Sequence, residues 1–129
     1  MNSYLLIAVG SALGGMARHW CGLAVAERFG ASFPWGTLLV NVTGSFLIGC
    51  IAALTDDRQE SQGAREFLMI GVLGGYTTFS AFSLQSLSLL RDGRLAAAGG
   101  YIAASVVLCL LAVGLGYLLG NALKAAVSR

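Results

Sequence analysis

Charged residues are absent from three long stretches of this chain, which cover residues 35–54, 67–90 and 95–123. Each stretch reaches the roughly 20 helical residues that cross about 30 Å of hydrocarbon. A fourth stretch, over about residues 3–26, is interrupted only by Arg18 and His19. The pattern therefore predicts one all-α integral membrane domain over residues 1–129, with four transmembrane helices.

Composition supports a membrane protein and excludes a soluble domain. Apolar residues make up 57% of the chain and charged residues only 11%, whereas a soluble domain carries about a quarter charged residues. The net charge of +2 is small and scattered, so we expect no nucleic-acid partner. Three cysteines lie singly inside apolar segments, which favours packing over a redox or metal role.

The distribution of basic residues gives little preference for one orientation in the membrane. Four helices place both termini on one side, with Arg58, Arg65, Lys124 and Arg129, and leave Arg28, Arg91 and Arg94 on the other. Orientation normally follows the Lys and Arg bias across short loops. Near-equal counts favour dual insertion and an antiparallel homodimer around a central site. The alternative is that the loops are simply too short to show a bias.

Glycines recur at a spacing that suits close helix packing. The chain has 18 glycines, with pairs four residues apart at Gly10 and Gly14, Gly71 and Gly75, and Gly116 and Gly120. In lipid, such pairs allow helix backbones to approach closely. We expect these positions to lie at contacts between helices.

The third segment contains a poor sequence for a continuous helix. Gly74 and Gly75 are followed by Thr77 and Thr78, and together they lower helix propensity by about 2 to 3 kcal/mol. We predict a break near Gly74–Thr78, which at this depth must be buried in protein or line a wet cavity. Freed carbonyls would suit a cation, and the amides of the next half-helix an anion. The alternative is a glycine-rich packing bend.

Aromatic and hydroxyl side chains follow the predicted break. Phe79 and Phe82 are three residues apart on one helix face, and Ser80, Ser83 and Ser86 repeat at the same spacing. Aromatic ring edges are electropositive, so two edges beside hydroxyl donors could stabilise a partly dehydrated anion. The alternative is that both phenylalanines are ordinary packing or lipid-facing residues.

Neutral donors recur in the other segments, and carboxylates do not. The candidate donor set is Thr37, Asn41, Ser80, Ser83, Tyr101 and Ser105. Arg18 is the one intramembrane charge, which either snorkels to an interface or draws anions into a vestibule. The absence of Asp and Glu from all four segments argues against a proton-coupled exporter.

Three motifs in this order strongly resemble those of the Fluc-type fluoride channels, the CrcB family. They read Gly14-Gly15-x-x-Arg18, Gly36-Thr37-Leu38-x-x-Asn41 and Gly71-x-x-Gly74-Gly75-x-Thr77-Thr78-Phe79-Ser80-x-Phe82-Ser83. The resemblance covers the whole chain in length, helix count and motif order. The third motif is the most specific of the three.

The resemblance implies a non-enzymatic channel in the inner (cytoplasmic) membrane that exports F⁻ passively and protects the cell from fluoride. It implies an antiparallel homodimer in the lipid bilayer, with a structural Na⁺ and no organic cofactor. Phe79 and Phe82 would line the ion path, with Asn41 hydrogen-bonding nearby. Gly74 and Thr77 would offer main-chain carbonyls to the Na⁺. The polar route from the fourth helix would continue through Tyr101 and Ser105.

Two residues depart from the family pattern. Gln85 stands where the motif often has a carboxylate, and Cys109 stands one turn beyond Ser105, where relatives carry another hydroxyl. Both changes bear on conduction rate more than on ion identity. A small dual-topology multidrug exporter and a non-transporting scaffold are the competing hypotheses, of which the exporter requires an embedded acid.

Overall fold

The computed structural model describes residues 2–55 and 62–127, and the helices cover almost all of both ranges. The elements are α1 (Ser3–Phe29), α2 (Trp35–Thr55), α3 (residues 62–76), α4 (Phe79–Arg91) and α5 (Leu95–Val127). The described ranges contain no strand, as the all-α prediction requires. Arg58 and Arg129, which the charge count includes, lie outside the described residues.

Within the described residues, three helical stretches are long and apolar enough to cross a membrane, at Trp35–Thr55, Gln62–Arg91 and Leu95–Val127. The first helix has 27 residues, which at 1.5 Å per residue gives about 40 Å. It is long enough to cross as well, although Arg18 and His19 make it less apolar. The fold is therefore a multi-pass helical membrane protein.

The third helix is irregular along its own length. It begins as an α-turn over Gln62–Arg65, continues as a π-helix over Glu66–Leu73 and returns to α geometry over Gly74–Tyr76. A π-helix is wider than an α-helix and occurs often at functional sites. The unusual geometry thus lies directly before the predicted break.

Glycines bring α1 and α3 into backbone contact. A Cβ atom added to Gly14 would lie 2.0 Å from the carbonyl oxygen of Val72, and one added to Gly75 would lie 2.5 Å from that of Ser11. Because real Cβ atoms do not approach so closely, only glycine permits this packing. The predicted packing role is confirmed for these glycines.

The last helix, α5, packs chiefly along α2 through the same kind of contact. A Cβ at Gly49 would lie 2.2 Å from the Val113 carbonyl oxygen, and one at Gly116 would lie 2.0 Å from that of Phe46. By contrast, α4 meets α5 mainly in a small buried cluster. That cluster consists of Leu38, Phe82, Leu89, Ala98 and Tyr101. It joins α2, α4 and α5 beside the candidate site.

Candidate functional site

The backbone is extended at two residues between α3 and α4. Thr77 has φ −79° and ψ 158°, and Thr78 has φ −153° and ψ 118°. The Thr78 hydroxyl then caps α4 by accepting a hydrogen bond from the amide of Ala81 at 3.2 Å. The interruption lies at the C-terminal end of the stretch that the glycines and threonines indicated.

Asn41 on α2 binds this interruption from one side. Its Nδ2 donates to the Thr78 carbonyl oxygen at 3.0 Å, and the Thr78 amide donates to its Oδ1 at 2.8 Å. In a continuous helix that amide would donate to the carbonyl of Gly74. The Gly74 carbonyl therefore loses its usual partner, and the second N–H of Asn41 is left for another acceptor.

Arg18 on α1 binds the interruption from the other side. Its Nη1 donates to the carbonyl oxygen of Thr77 at 3.2 Å, and the side chain is half-buried. Neither snorkelling nor anion attraction, the two roles considered from sequence, includes this contact. The Thr77 carbonyl oxygen, which was expected to bind Na⁺, thus already accepts a hydrogen bond from the Arg18 guanidinium.

Aromatic rings continue from the interruption into the protein. The rings of Phe79 and Phe82 have centroids 5.2 Å apart, and Phe82 lies 5.3 Å from Tyr101. Phe79 is 78% exposed, whereas Phe82 and Tyr101 are buried. The three rings form a line from the surface of the chain to its core.

The serine row on α4 is directed to its own helix. Ser83 Oγ donates to the Phe79 carbonyl oxygen at 2.9 Å, and Ser86 Oγ donates to that of Phe82 at 2.8 Å. Ser80 Oγ lies 3.2 Å from the hydroxyl of Thr78. Two of the three hydroxyl protons are therefore already used within α4.

A cavity of about 430 Å³, which we call the central cavity, gathers most of the predicted site. The predicted residues that line it are Asn41, Gly74, Thr77, Phe79, Phe82 and Ser105. Cys109 also lines it, whereas Ser80 and Ser83 do not. Asn41 of α2 and Ser105 of α5 thus meet the interruption of the third segment.

Of the described residues around this cavity, Ser105 contributes a buried hydroxyl without a partner. Its residue is 6% exposed, and its hydroxyl has no hydrogen-bond partner within the described residues. A buried hydroxyl without a partner is costly. Its residue lines the central cavity, but its oxygen is enclosed by protein atoms, so the side chain would have to turn before the hydroxyl could donate to a ligand there.

A second cavity of about 430 Å³, which we call the end cavity, lies near the α1–α2 loop and the end of α4. Its lining includes Thr37 and Gln85. The Tyr101 hydroxyl donates to Gln85 Oε1 at 2.9 Å, and the Thr37 side chain also interacts with that hydroxyl. The predicted Thr37 and Tyr101 therefore belong to this end, and sequence reasoning missed Gln85 as their partner.

No cluster of three or more His, Cys, Asp or Glu side chains that could hold a metal occurs in residues 2–55 and 62–127. The three cysteines are free thiols. A cation at this site would therefore depend on main-chain carbonyls, of which Gly74 and Thr77 are the candidates in the central cavity.

The sequence also matches known proteins along nearly its full length. Residues 5–117 match the family described as CrcB-like protein, Camphor Resistance (CrcB). A protein from Methylocella silvestris is 55% identical over 124 residues, which cover 94% of this chain and 95% of that protein. One from Opitutus terrae is 54% identical over 121 residues, 92% of each chain. One from Thermus thermophilus is 48% identical over 123 residues, 95% of this chain and 98% of that protein. All three carry the name fluoride-specific ion channel FluC.

Proposed function

The chain belongs to the CrcB-like protein family, and we propose from this membership that it is a fluoride-specific channel that conducts F⁻ passively across the membrane. The observation that carries the proposal is the match over nearly the full chain, at 48–55% identity, to proteins named fluoride-specific ion channel FluC. The neutral donors around the central cavity are consistent with it. Channel conduction involves no chemical conversion, so we assign no enzymatic step.

Neutral donors around the central cavity fit fluoride better than a cation. F⁻ is small, strongly hydrated and an avid hydrogen-bond acceptor. Ser105 Oγ and the second N–H of Asn41 can donate to it, and the edges of Phe79 and Phe82 carry positive potential. Neutral groups also hold the ion weakly enough for release, which conduction requires.

The described lining of the central cavity carries no charged side chain. A proton-coupled exporter needs an embedded acid that alternates between proton and substrate. This favours passive conduction over the exporter hypothesis. In a bacterial inner membrane, such a conductance would export fluoride that enters the cell as HF and would thereby protect it.

A second, antiparallel copy would complete the path. The central cavity opens where Phe79 is 78% exposed, and polar backbone at membrane depth needs protein or water around it. Near-equal numbers of basic residues on the two sides permit both orientations. We therefore propose a dual-topology homodimer in which each copy covers the exposed site of the other.

A structural Na⁺ at the center of this dimer would bind main-chain oxygens. The Gly74 carbonyl is released from its helical hydrogen bond, and the Thr77 carbonyl keeps a lone pair beside the one that accepts from Arg18. Unwound carbonyls of this kind suit Na⁺. Two copies would supply four such oxygens, and the ion would hold the two interruptions together.

The direct test is F⁻ efflux from liposomes that contain the purified protein, followed with a fluoride electrode. A K⁺ ionophore controls charge balance, and Cl⁻ is the comparator. We expect fast F⁻ loss that depends on the ionophore, without Cl⁻ loss. Absence of F⁻ loss from well-folded protein would instead favour the scaffold hypothesis.

A further inference from the structure

The end cavity is a polar space that lies apart from the donors of the central cavity. Its polar lining residues are Ser32, Thr37, Gln85, Ser88, Asp92 and Arg94. The central cavity, by comparison, is lined mainly by apolar residues. A polar cavity with a cationic side chain can bind a hydrated anion before the anion loses water.

Only one buried layer separates the two cavities. Tyr101 is fully buried, its ring lies 5.3 Å from Phe82 of the central cavity, and its hydroxyl donates to Gln85 of the end cavity. An anion that leaves the end cavity past Gln85 therefore meets Tyr101 and then Phe82. These side chains therefore lie between the end cavity and the proposed ion path.

Gln85 presents its donor end to this space. Its Oε1 already accepts from Tyr101 at 2.9 Å, and no hydrogen bond from its Nε2 is formed within the described ranges. A side-chain amide carries two N–H donors on that nitrogen. With its oxygen directed to Tyr101, Gln85 keeps both N–H donors for the cavity, which is the polarity that an anion requires.

Arg94 supplies the positive charge and is held in place. Its Nη1 donates to the carbonyl oxygen of Ser32 in the α1–α2 loop, which leaves four further N–H donors on the guanidinium. No ion pair joins it to Asp92 or to another carboxylate among the described residues. The guanidinium charge is therefore available to an anion, although Asp92 in the same lining opposes it.

We propose that the end cavity is an anion-loading site, in which Arg94 and the Gln85 amide hold a small monovalent anion before it passes Tyr101. The proposal rests on the proposed channel function. It assigns Arg94 an electrostatic role at the mouth, distinct from the uncharged donors of the central cavity.

Arg91 offers a matched control, since it is an exposed arginine near the same end of α4 and lines neither cavity. We would compare F⁻ efflux from liposomes with Arg94→Gln, Arg94→Lys and Arg91→Gln at low F⁻ and low ionic strength. We expect Arg94→Gln to slow efflux about threefold or more, with Arg94→Lys and Arg91→Gln near wild type. Salt near 0.15 M, where the Debye length is about 8 Å, should remove most of the difference.

Several outcomes would overturn the loading site. An equal reduction of F⁻ efflux in Arg94→Gln and Arg94→Lys would mean that the contact with Ser32, and not the charge, determines the rate. An equal reduction in Arg91→Gln would mean that the effect comes from surface charge in general and not from a site. Gln85→Met, which removes both N–H donors, should also slow efflux at low F⁻, and an unchanged rate would remove the amide from the site.

Direct anion binding separates this proposal from the channel function. Broadening of the ¹⁹F NMR line of free F⁻ by the detergent-solubilised protein should decrease in Arg94→Gln and persist in Arg91→Gln. Arg94-dependent broadening without efflux would retain the loading site and reject the channel. Efflux with broadening that is independent of Arg94 would retain the channel and reject the loading site.

Discussion

The side chain of Asn41 and the backbone of Thr78 form two reciprocal hydrogen bonds, at 3.0 and 2.8 Å. The Asn41 side chain thereby satisfies both the amide and the carbonyl of Thr78, an extended residue whose backbone groups have no partner within a helix. The pair fixes where the third membrane segment stops being helical. It also keeps the Gly74 carbonyl free of its usual partner, on which the proposed Na⁺ site depends.

Asn41→Ala should destabilise the protein and reduce F⁻ flux. The change leaves the amide and carbonyl of Thr78 without their side-chain partners, a loss of about 1–3 kcal/mol. Thermal unfolding in detergent and liposome efflux would measure the two effects. Thr55→Val is the control, because among the described residues the Thr55 hydroxyl bonds within α2, to the carbonyl oxygens of Ile51 and Ala52. Equal unfolding temperatures for Asn41→Ala and wild type would contradict the role assigned to the pair.

Phe79→Ile and Phe82→Ile should abolish or sharply reduce F⁻ flux while a folded dimer remains. Isoleucine keeps the apolar character but removes the electropositive ring edges. Efflux and size-exclusion chromatography would test flux and assembly together. Phe29→Ile, at the exposed end of α1, should behave as wild type. Full flux in both ring variants would remove the rings from the mechanism.

Ser105→Ala and Ser86→Ala should separate conduction from stability. The Ser105 hydroxyl has no partner within the described residues, so its loss should reduce flux about tenfold or more with little change in unfolding temperature. The Ser86 hydroxyl donates to the Phe82 carbonyl oxygen at 2.8 Å. Its loss should cost about 1 kcal/mol of stability. Unchanged flux in Ser105→Ala would exclude that hydroxyl from the ion path.

Gly116→Ala should prevent proper packing of α5 on α2. The new Cβ would lie 2.0 Å from the Phe46 carbonyl oxygen, and backbone cannot move aside cheaply. We expect a loss of about 1–3 kcal/mol or more, read as a lower unfolding temperature. Gly114→Ala lies on the same helix with nothing within 4 Å of its Cβ, and it should be tolerated. Similar behaviour of the two variants would contradict the packing described.

Removal of Na⁺ should weaken the proposed dimer. Replacement of Na⁺ by N-methylglucamine withdraws the cation that would bridge four carbonyl oxygens. Glutaraldehyde crosslinking and the unfolding temperature would report assembly independently of flux. Identical crosslinking and unfolding with and without Na⁺ would count against a structural ion.

The sequence could predict the helices and the interruption because both depend on local properties. Apolar length defines the spans, and adjacent glycines and threonines weaken a helix wherever they occur. The partners of the polar groups depend on which helix faces meet. The bonds from Asn41 to Thr78 and from Tyr101 to Gln85 join residues 37 and 16 positions apart, and spacing within one helix does not indicate them. The packing of α5 along α2 likewise depends on glycine contacts between residues far apart in sequence.

The last helix is longer than the membrane is thick. Its 33 residues span about 50 Å at 1.5 Å per residue, against about 30 Å of hydrocarbon. A tilted helix still exceeds the thickness of the hydrocarbon, so roughly three turns extend into the headgroups or the water. In the proposed antiparallel pair, these extensions would project from opposite faces of the bilayer. A tag fused to the C-terminus would then be readable from outside and inside the same vesicle.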